Sequence, residues 1–482
     1  MLESELIQLL DTIRQRRCEM QNIELKKAAK GTPAKLYDTM SGFANQTNGG
    51  IIVFGVDESA DFAVTGVYDA QDLQVQVTNA ALQMEPPVRP VFTAADLDGK
   101  TVIAAEIPEC PAEEKPCFYR AAGRIRGSYV RVGDADLPMT EYEVYAYEAF
   151  RRKIRDELRQ PDEQPTAEFD PDLLGSYFIR LRQAKPILAG KADSLILRLQ
   201  GLTRDDRPTL AGLMLLSDYP QACFPQLCIT AMAVSGTEIG RAGSGAERFT
   251  DNRRIEGCIP RMLEDALAFV RRNTKTAVVI DADGRRVDRT EYPMVAVREV
   301  ILNALIHRDY SVHTEDSPIR LILYSDRLTV ENPGGLYGRL TINDLVKLPA
   351  DTRNPFIAGS LEVMLCTENR FSGIPTIRAE MASAGLRPPV FESFRGMFRV
   401  TLYNSPAEST VKNGSGTGLE EKILRFCSVP RTKTEIAEHL GLTTVYYLTK
   451  RYLKPLTADG RLKPVSPGQP GSRNQRYITV KQ

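Results

Sequence analysis

Apolar and polar positions recur along this chain with two periods. Spacings of three and four residues mark helices, and shorter apolar runs bounded by turn residues mark strands. "IEGCIPRMLEDALAFVRRN" (255–273) has the helical period. So does "REVILNALIHRDY" (298–310), where Glu299, Asn303 and His307 lie four apart on one face and Val300, Ile301, Leu302, Ala304, Leu305 and Ile306 cover the others. An amphipathic helix opens the chain. "LYDTMSGFANQTNGGIIVFGVDE" predicts a helix to about Ala44, a polar turn with Gly49 and Gly50, and a strand at Ile51–Phe54. "KTVIAAEIP", "GSYVRVGD", "PIRLILYSD" and "RLTVENPGG" predict further strands, the last two joined by a tight turn at Ser325, Asp326 and Arg327. "TLAGLMLLS" and "LCITAMAV" predict buried elements. Near the end, "EEKILRFC", "TKTEIAEHLGL" and "TVYYLTKRYLKPLTADG" predict three helices, and "RLKPV" and "QRYITV" two strands.

Two polar, proline- or glycine-rich stretches interrupt the pattern, at 159–172 and 404–418, the second with a flexible linker's composition. With 482 residues, about three or four domains are expected. The breaks suggest an α+β module at 1–150, a mixed α/β connecting scaffold at 172–290, a module at 291–403, a linker at 404–418 and a small domain at 419–482.

Charge alters this picture only locally. The 62 basic and 62 acidic residues cancel. Residues 418–482, however, hold twelve Lys and Arg against five Asp and Glu, a surplus of seven, so the rest of the chain is acidic by the same amount. The eight cysteines are scattered with no CxxC pair and there are three histidines, which argues against a structural zinc site. Such cysteines fit a reducing compartment. The acidic, amphipathic N-terminus does not read as a signal peptide, and no apolar run approaches the ~20 residues a bilayer span needs. A soluble, cytoplasmic protein without a membrane partner is the expectation.

The Glu299/Asn303/His307 stripe carries the clearest chemistry. A carboxylate and an amide one helical turn apart suit a nucleotide–metal site: the first orients and deprotonates water, the second helps hold magnesium. Gly334, Gly335 and Gly373 supply backbone without a Cβ, as a phosphate site needs. "EVILNALIHRDY" resembles the N-box helix of the GHKL ATPases, and most of all a divergent branch labelled RecG-related. That branch carries E…NA..HRDY, NPGG, RNP and an SGI segment, here at 299–310, 332–335, 353–355 and 372–374. The resemblance implies a GHKL-like α/β sandwich binding ATP and Mg²⁺. It makes Glu299 the water-orienting base, Asn303 the magnesium ligand and Glu331 the residue reading the adenine; His307, Gly334, Gly335 and Gly373 would line the nucleotide. The usual Asp-x-Gly-x-Gly box is here Glu-Asn-Pro-Gly-Gly. A helicase is not implied, because no GxxxxGK[ST] loop and no second motor domain are present.

"IELKKA", "SGFANQTNGGIIVFGVDE" and "GSYVRVG" resemble the Schlafen-type AlbA-like domain. The resemblance implies a nucleic-acid-binding module in which Lys26 and Arg131 contact phosphate. Some Schlafen proteins are endoribonucleases acting on tRNA through three carboxylates, matched here by Glu19, Glu24 and Glu58. That gives an alternative reading, a metal-dependent ribonuclease acting on tRNA or other structured RNA.

Three helices followed by a two-stranded wing follow the winged-helix plan. Thr443, Thr444, Tyr446, Tyr447, Lys450 and Arg451 would then lie on the major-groove helix, and Lys463, Arg473 and Arg476 on the wing. The combined expectation is an α+β multidomain protein: a DNA-binding transcriptional regulator that senses ATP and forms a homodimer. Weak ATPase and ribonuclease activity are its enzymatic alternatives.

Overall fold

A computed structural model gives the architecture. It describes residues 1–161, 168–239, 249–280, 286–345, 351–365, 373–394, 396–406, 423–439, 448–453, 456–457, 459–465 and 475–480. The chain divides into two units, Met1–Ser405 and Pro406–Gln482.

The first unit begins with a four-stranded sheet ordered Ile23–Lys26, Gly50–Phe54, Lys100–Ile107 and Val91–Leu97. The first pair is parallel and the others antiparallel. Both faces are covered, and the strand alternation sorts the side chains between them. Leu6, Leu10 and Ile13 of the Glu3–Arg16 helix pack with Ile23, Val53 and Ala104. Met40 and Phe43 of the Tyr37–Asn45 helix, with Leu73 and Val77 of Ala70–Ala81, pack with Ile52, Phe54 and Ile103. A hairpin, Tyr129–Val132 with Ala135–Pro138, lies on the Tyr37–Asn45 helix and leads into the Glu141–Arg151 helix.

The second sheet has six strands, ordered Asp251–Ile255, Ile229–Ala233, Ile319–Leu323, Arg327–Pro333, Met397–Tyr403 and Val390–Phe394. All its pairings are antiparallel except that of Ile229–Ala233 with Ile319–Leu323. That parallel pair joins the two sides of residue 290. The 172–290 segment is therefore not a scaffold apart from 291–403: its apolar strand is completed only by a partner beyond the expected boundary. The helices Ile259–Asn273, Met294–His307, Pro355–Leu365 and Gly373–Ser383 share one large core with this sheet. The Met294–His307 helix is apolar nearly all round, as a central helix should be.

In the second unit, Arg431–Thr432, Arg476–Thr479 and Leu462–Pro464 form a three-stranded antiparallel sheet in that order. Ile423, Cys427, Ile436, Leu448, Leu453, Leu462 and Tyr477 form its core. Thr443, Thr444, Tyr446, Tyr447 and Arg473 lie outside the described residues, as do the side chains of Lys450 and Arg451. Lys463 and Arg476 sit on the paired strands expected of a wing. Among the described residues no helix is long and apolar enough to cross a membrane, and the seven cysteines described are free thiols.

Candidate functional site

A cavity of about 430 Å³ opens between the Met294–His307 helix and the second sheet. That is within the usual range for a small-molecule site. Glu299, Asn303 and His307 all line it, so the polar stripe borders the cavity. Neither Asn303 nor His307 has a side-chain hydrogen bond among the described residues. Burial raises the Glu299 carboxyl above its ordinary value, and Arg298, with Nη1 at 3.4 Å, only partly offsets this. Burial, helped by Arg353, pushes His307 down to about 4, so its ring is neutral at pH 7.

Glycines form part of the opposite wall. Gly334 has φ +105°, and a Cβ there would meet Arg353 Nη1 and lie 2.7 Å from Asp309 Cβ. A Cβ on Gly373 would come within 2.7 Å of Asn303 Nδ2, so this residue must be small for the chain to close over the amide. Val330, Phe391, Phe398 and Val400 make an apolar wall on the sheet side.

Glu331 is the misplaced expectation. It lies outside the cavity lining, held by Arg320 Nη1 at 2.9 Å and Arg399 Nη2 at 2.8 Å on the two neighbouring strands. Side chains alternate along a strand, and Val330 already points into the cavity, so Glu331 must point away. Asn332 takes the inward position. It is 4% exposed, and its Oδ1 has no hydrogen-bond partner. Counting by twos from Val330 would have found it.

The other motif residues brace the site without entering it. Asp309 is buried, accepting from Tyr142 Oη at 2.9 Å and the Ser311 N–H at 2.9 Å, and facing Arg353 Nη1 at 2.8 Å. Burial alone would raise its carboxyl, but Arg353 and these hydrogen bonds outweigh it and hold the carboxyl below its ordinary value. Asn354 Nδ2 donates to the Ile306 and Arg308 carbonyls at 2.8 and 2.7 Å and so closes the end of the stripe-bearing helix. Tyr310 Oη donates to the Leu305 carbonyl, and Arg308 to those of Thr314 and Ser317. The segment leaving the first sheet reaches this frame as well. Tyr142 fills the space where a Cβ on Gly396 would be. Glu157, fully buried, accepts from the Phe356 and Ile357 N–H groups at 3.1 and 2.9 Å and so caps the Pro355–Leu365 helix. Sequence reading passed over Tyr142 and Glu157, which act across long chain separations.

The carboxylates of the first sheet form a different arrangement. Arg131, with a side chain 1% exposed, lies 2.7 Å from Glu24, 3.8 Å from Glu19 and 3.1 Å from Asp136. Lys26 Nζ is 2.5 Å from Glu24. Lys26 and Arg131 are therefore engaged in ion pairs, and Arg131 is too buried for a phosphate to reach. Glu19 also accepts from the Leu25 N–H at 2.8 Å; burial, and then the charges of Glu24 and Glu58, push its carboxyl up to about 7. Glu58 sits exposed on the turn after Val56–Asp57. Among the described residues no group of three His, Cys, Asp or Glu side chains is placed to hold a metal ion.

Residues 19–140 match the family model "Schlafen, AlbA_2", and residues 316–402 match that described as "Putative ATP-dependent DNA helicase recG C-terminal". The chain thus carries a Schlafen/AlbA-type domain followed by a RecG-type ATPase-like domain, a nucleic-acid-related and ATPase-like combination. Among solved structures it is similar to the DIP2311 protein of Corynebacterium diphtheriae, at 18% identity and TM-score 0.41, covering 99% of this chain and 97% of that one. It is also similar to the N-terminal domain of a RecG-related protein from Nitrosomonas europaea, at 26% identity and TM-score 0.23, covering 28% of this chain and 92% of that one. No curated protein matches it significantly.

Proposed function

We propose that the cavity is an ATP-sensing site in a nucleic-acid-binding regulator. One observation carries this reading: Glu299, Asn303 and His307 line a ligand-sized cavity, Asn303 and His307 without a side-chain hydrogen bond among the described residues, together with the unpartnered Oδ1 of Asn332. A buried polar atom without a partner is costly, so such a set fits a bound polar ligand.

The residues present suit a nucleotide. Val330, Phe391, Phe398 and Val400 would hold a purine, and the Asn332 amide oxygen would accept from its exocyclic amine. Gly334, Gly335 and Gly373 would bring backbone close to phosphate. The Asn303 amide would be the protein ligand of a phosphate-bridging Mg²⁺, an ion that supplies charge neutralisation when bound. Glu299, with its raised proton affinity, suits a base for water, and neutral His307 suits a hydrogen-bond partner. Weak hydrolysis is consistent with this set, but the reading needs only binding.

On this reading the first module and the C-terminal unit contact nucleic acid, the latter as a winged helix with Lys463 and Arg476 on its wing, and the protein works as a dimeric transcriptional regulator. Nucleotide would shift the equilibrium between binding-competent and other states. The ribonuclease reading is weaker, because two of the three carboxylates it needs, Glu19 and Glu24, already face the buried Arg131. The test is DNA affinity of the full chain measured with and without ATP–Mg²⁺. A several-fold change that is lost in Asn303→Ala supports ligand gating; the same affinity in all four conditions removes it.

A further inference from the structure

With Arg131 and Lys26 engaged in ion pairs, nucleic acid must meet the first module elsewhere. A second basic cluster has the required exposure. Glu148 of the Glu141–Arg151 helix is shared by Arg124, by Arg151 at 3.2 Å and by Arg152 at 3.8 Å. Glu85 is shared by Arg124 at 4.0 Å and Arg120 at 3.7 Å. Arg126 and Lys153 extend the cluster in sequence, are exposed, and have no ion-pair partner among the described residues. Four cations, Arg120, Arg124, Arg151 and Arg152, thus share two carboxylates. Arg120 and Arg152 remain 59% and 61% exposed despite these contacts. Shared carboxylates fix the guanidinium groups without neutralising them, which leaves planar donors free for phosphate.

Aromatic surface adjoins the cluster. Tyr37 and Tyr119 stack with ring centroids 3.8 Å apart and are only half-buried. Gln83 joins the pair to the arginines: its side chain accepts from Tyr37 Oη at 3.2 Å, and its carbonyl accepts from the Arg120 N–H at 3.1 Å. Arg124 lies over the Phe118 ring at 5.0 Å.

We infer that the surface formed by Arg120, Arg124, Arg126 and Arg152 beside the Tyr37–Tyr119 stack is a binding face for single-stranded nucleic acid. The inference rests on the nucleic-acid part of the proposed function and locates it. Fixed cations track the phosphates, and the accessible part of the half-buried aromatic pair takes unpaired bases. An acidic peptide would use the cations and leave the rings idle; a duplex hides its bases from them.

The test uses the full chain, a labelled oligo(dT) and a duplex, with affinity read by fluorescence anisotropy across a salt series. The wild type should prefer the single strand. The triple variant Arg120→Gln, Arg126→Gln, Arg152→Gln should weaken it at least tenfold, with a salt slope shallower by about 2, as three lost phosphate contacts predict. Tyr119→Leu should lower single-strand affinity about tenfold and leave the salt slope unchanged. Unchanged melting temperatures confirm that the variants are folded, and a photo-crosslinkable strand should label residues 118–127. Wild-type affinity and slope in the triple variant would overturn this surface while leaving the broader reading intact. Equal losses for duplex and single strand would overturn the single-strand assignment. A wild type that binds no strand and no duplex would remove the nucleic-acid reading itself.

Discussion

Two clusters of polar side chains invite chemistry in this sequence, and the structure treats them differently. Around Arg131, the carboxylates of Glu19, Glu24 and Asp136 converge on one buried guanidinium. Around the cavity, Glu299, Asn303 and His307 line one wall. The residue types are equally suggestive in both. What separates them is whether partners come from the protein. A cluster that satisfies itself holds the fold together; one that lines a cavity leaves donors and acceptors open to a ligand. Substitution should therefore cost stability in the first cluster and binding in the second.

The largest expected effect follows from the first half of that statement. Arg131→Met leaves buried carboxylates without their counter-charge and should destabilise the chain by about 3–5 kcal/mol, read as a lower thermal midpoint. A variant that melts like the wild type would show that Arg131 is not the keystone. Gly334→Ala sharpens the contrast from the cavity side. Its positive φ and the contact with Asp309 should together cost about 2–4 kcal/mol, so this glycine is structural although it borders the site. Tyr142→Phe removes one hydrogen bond to the buried Asp309 carboxylate and should cost about 1.5–3 kcal/mol in chemical denaturation. Less than a few tenths would mean that Arg353 and the Ser311 N–H suffice to hold Asp309.

The remaining expected effect is a pH dependence. Burial raises both Glu19 and Glu157 from the ordinary 4.5 to about 7. A carboxyl whose pKa is raised on folding binds its proton more tightly in the folded state. Its contribution to stability is therefore greatest below pH 4.5 and falls as pH rises toward about 7. Glu19→Gln and Glu157→Gln should each flatten this falling limb in melting curves taken from pH 4 to pH 8; an unchanged limb would contradict the assignment.

Much of this organisation was legible in the chain. The Met294–His307 helix, the Gly50–Phe54 strand and the hairpin of Ile319–Leu323 with Arg327–Pro333 follow from local periodicity. That Glu299, Asn303 and His307 share a face also follows from spacing alone. What local pattern does not carry is which atoms meet across long separations. The pairing of Ile229–Ala233 with Ile319–Leu323, the Arg131–Glu24 ion pair and the Tyr142–Asp309 bond each join residues tens to hundreds of positions apart. Glu331 shows the opposite failure. The periodicity predicts the strand, but the motif correspondence points to Glu331, whereas the residue that faces the cavity is Asn332, and on a strand one position reverses the face.

The central claim is that the cavity stripe binds nucleotide. Isothermal titration of the full chain with ATP–Mg²⁺, run beside Asn303→Ala, tests it most directly. The account predicts saturable binding by the wild type, a loss of at least tenfold in the variant, and matching melting temperatures for the two proteins. Identical binding in both, or no saturable heat from the wild type, would contradict it and make Glu299, Asn303 and His307 structural residues.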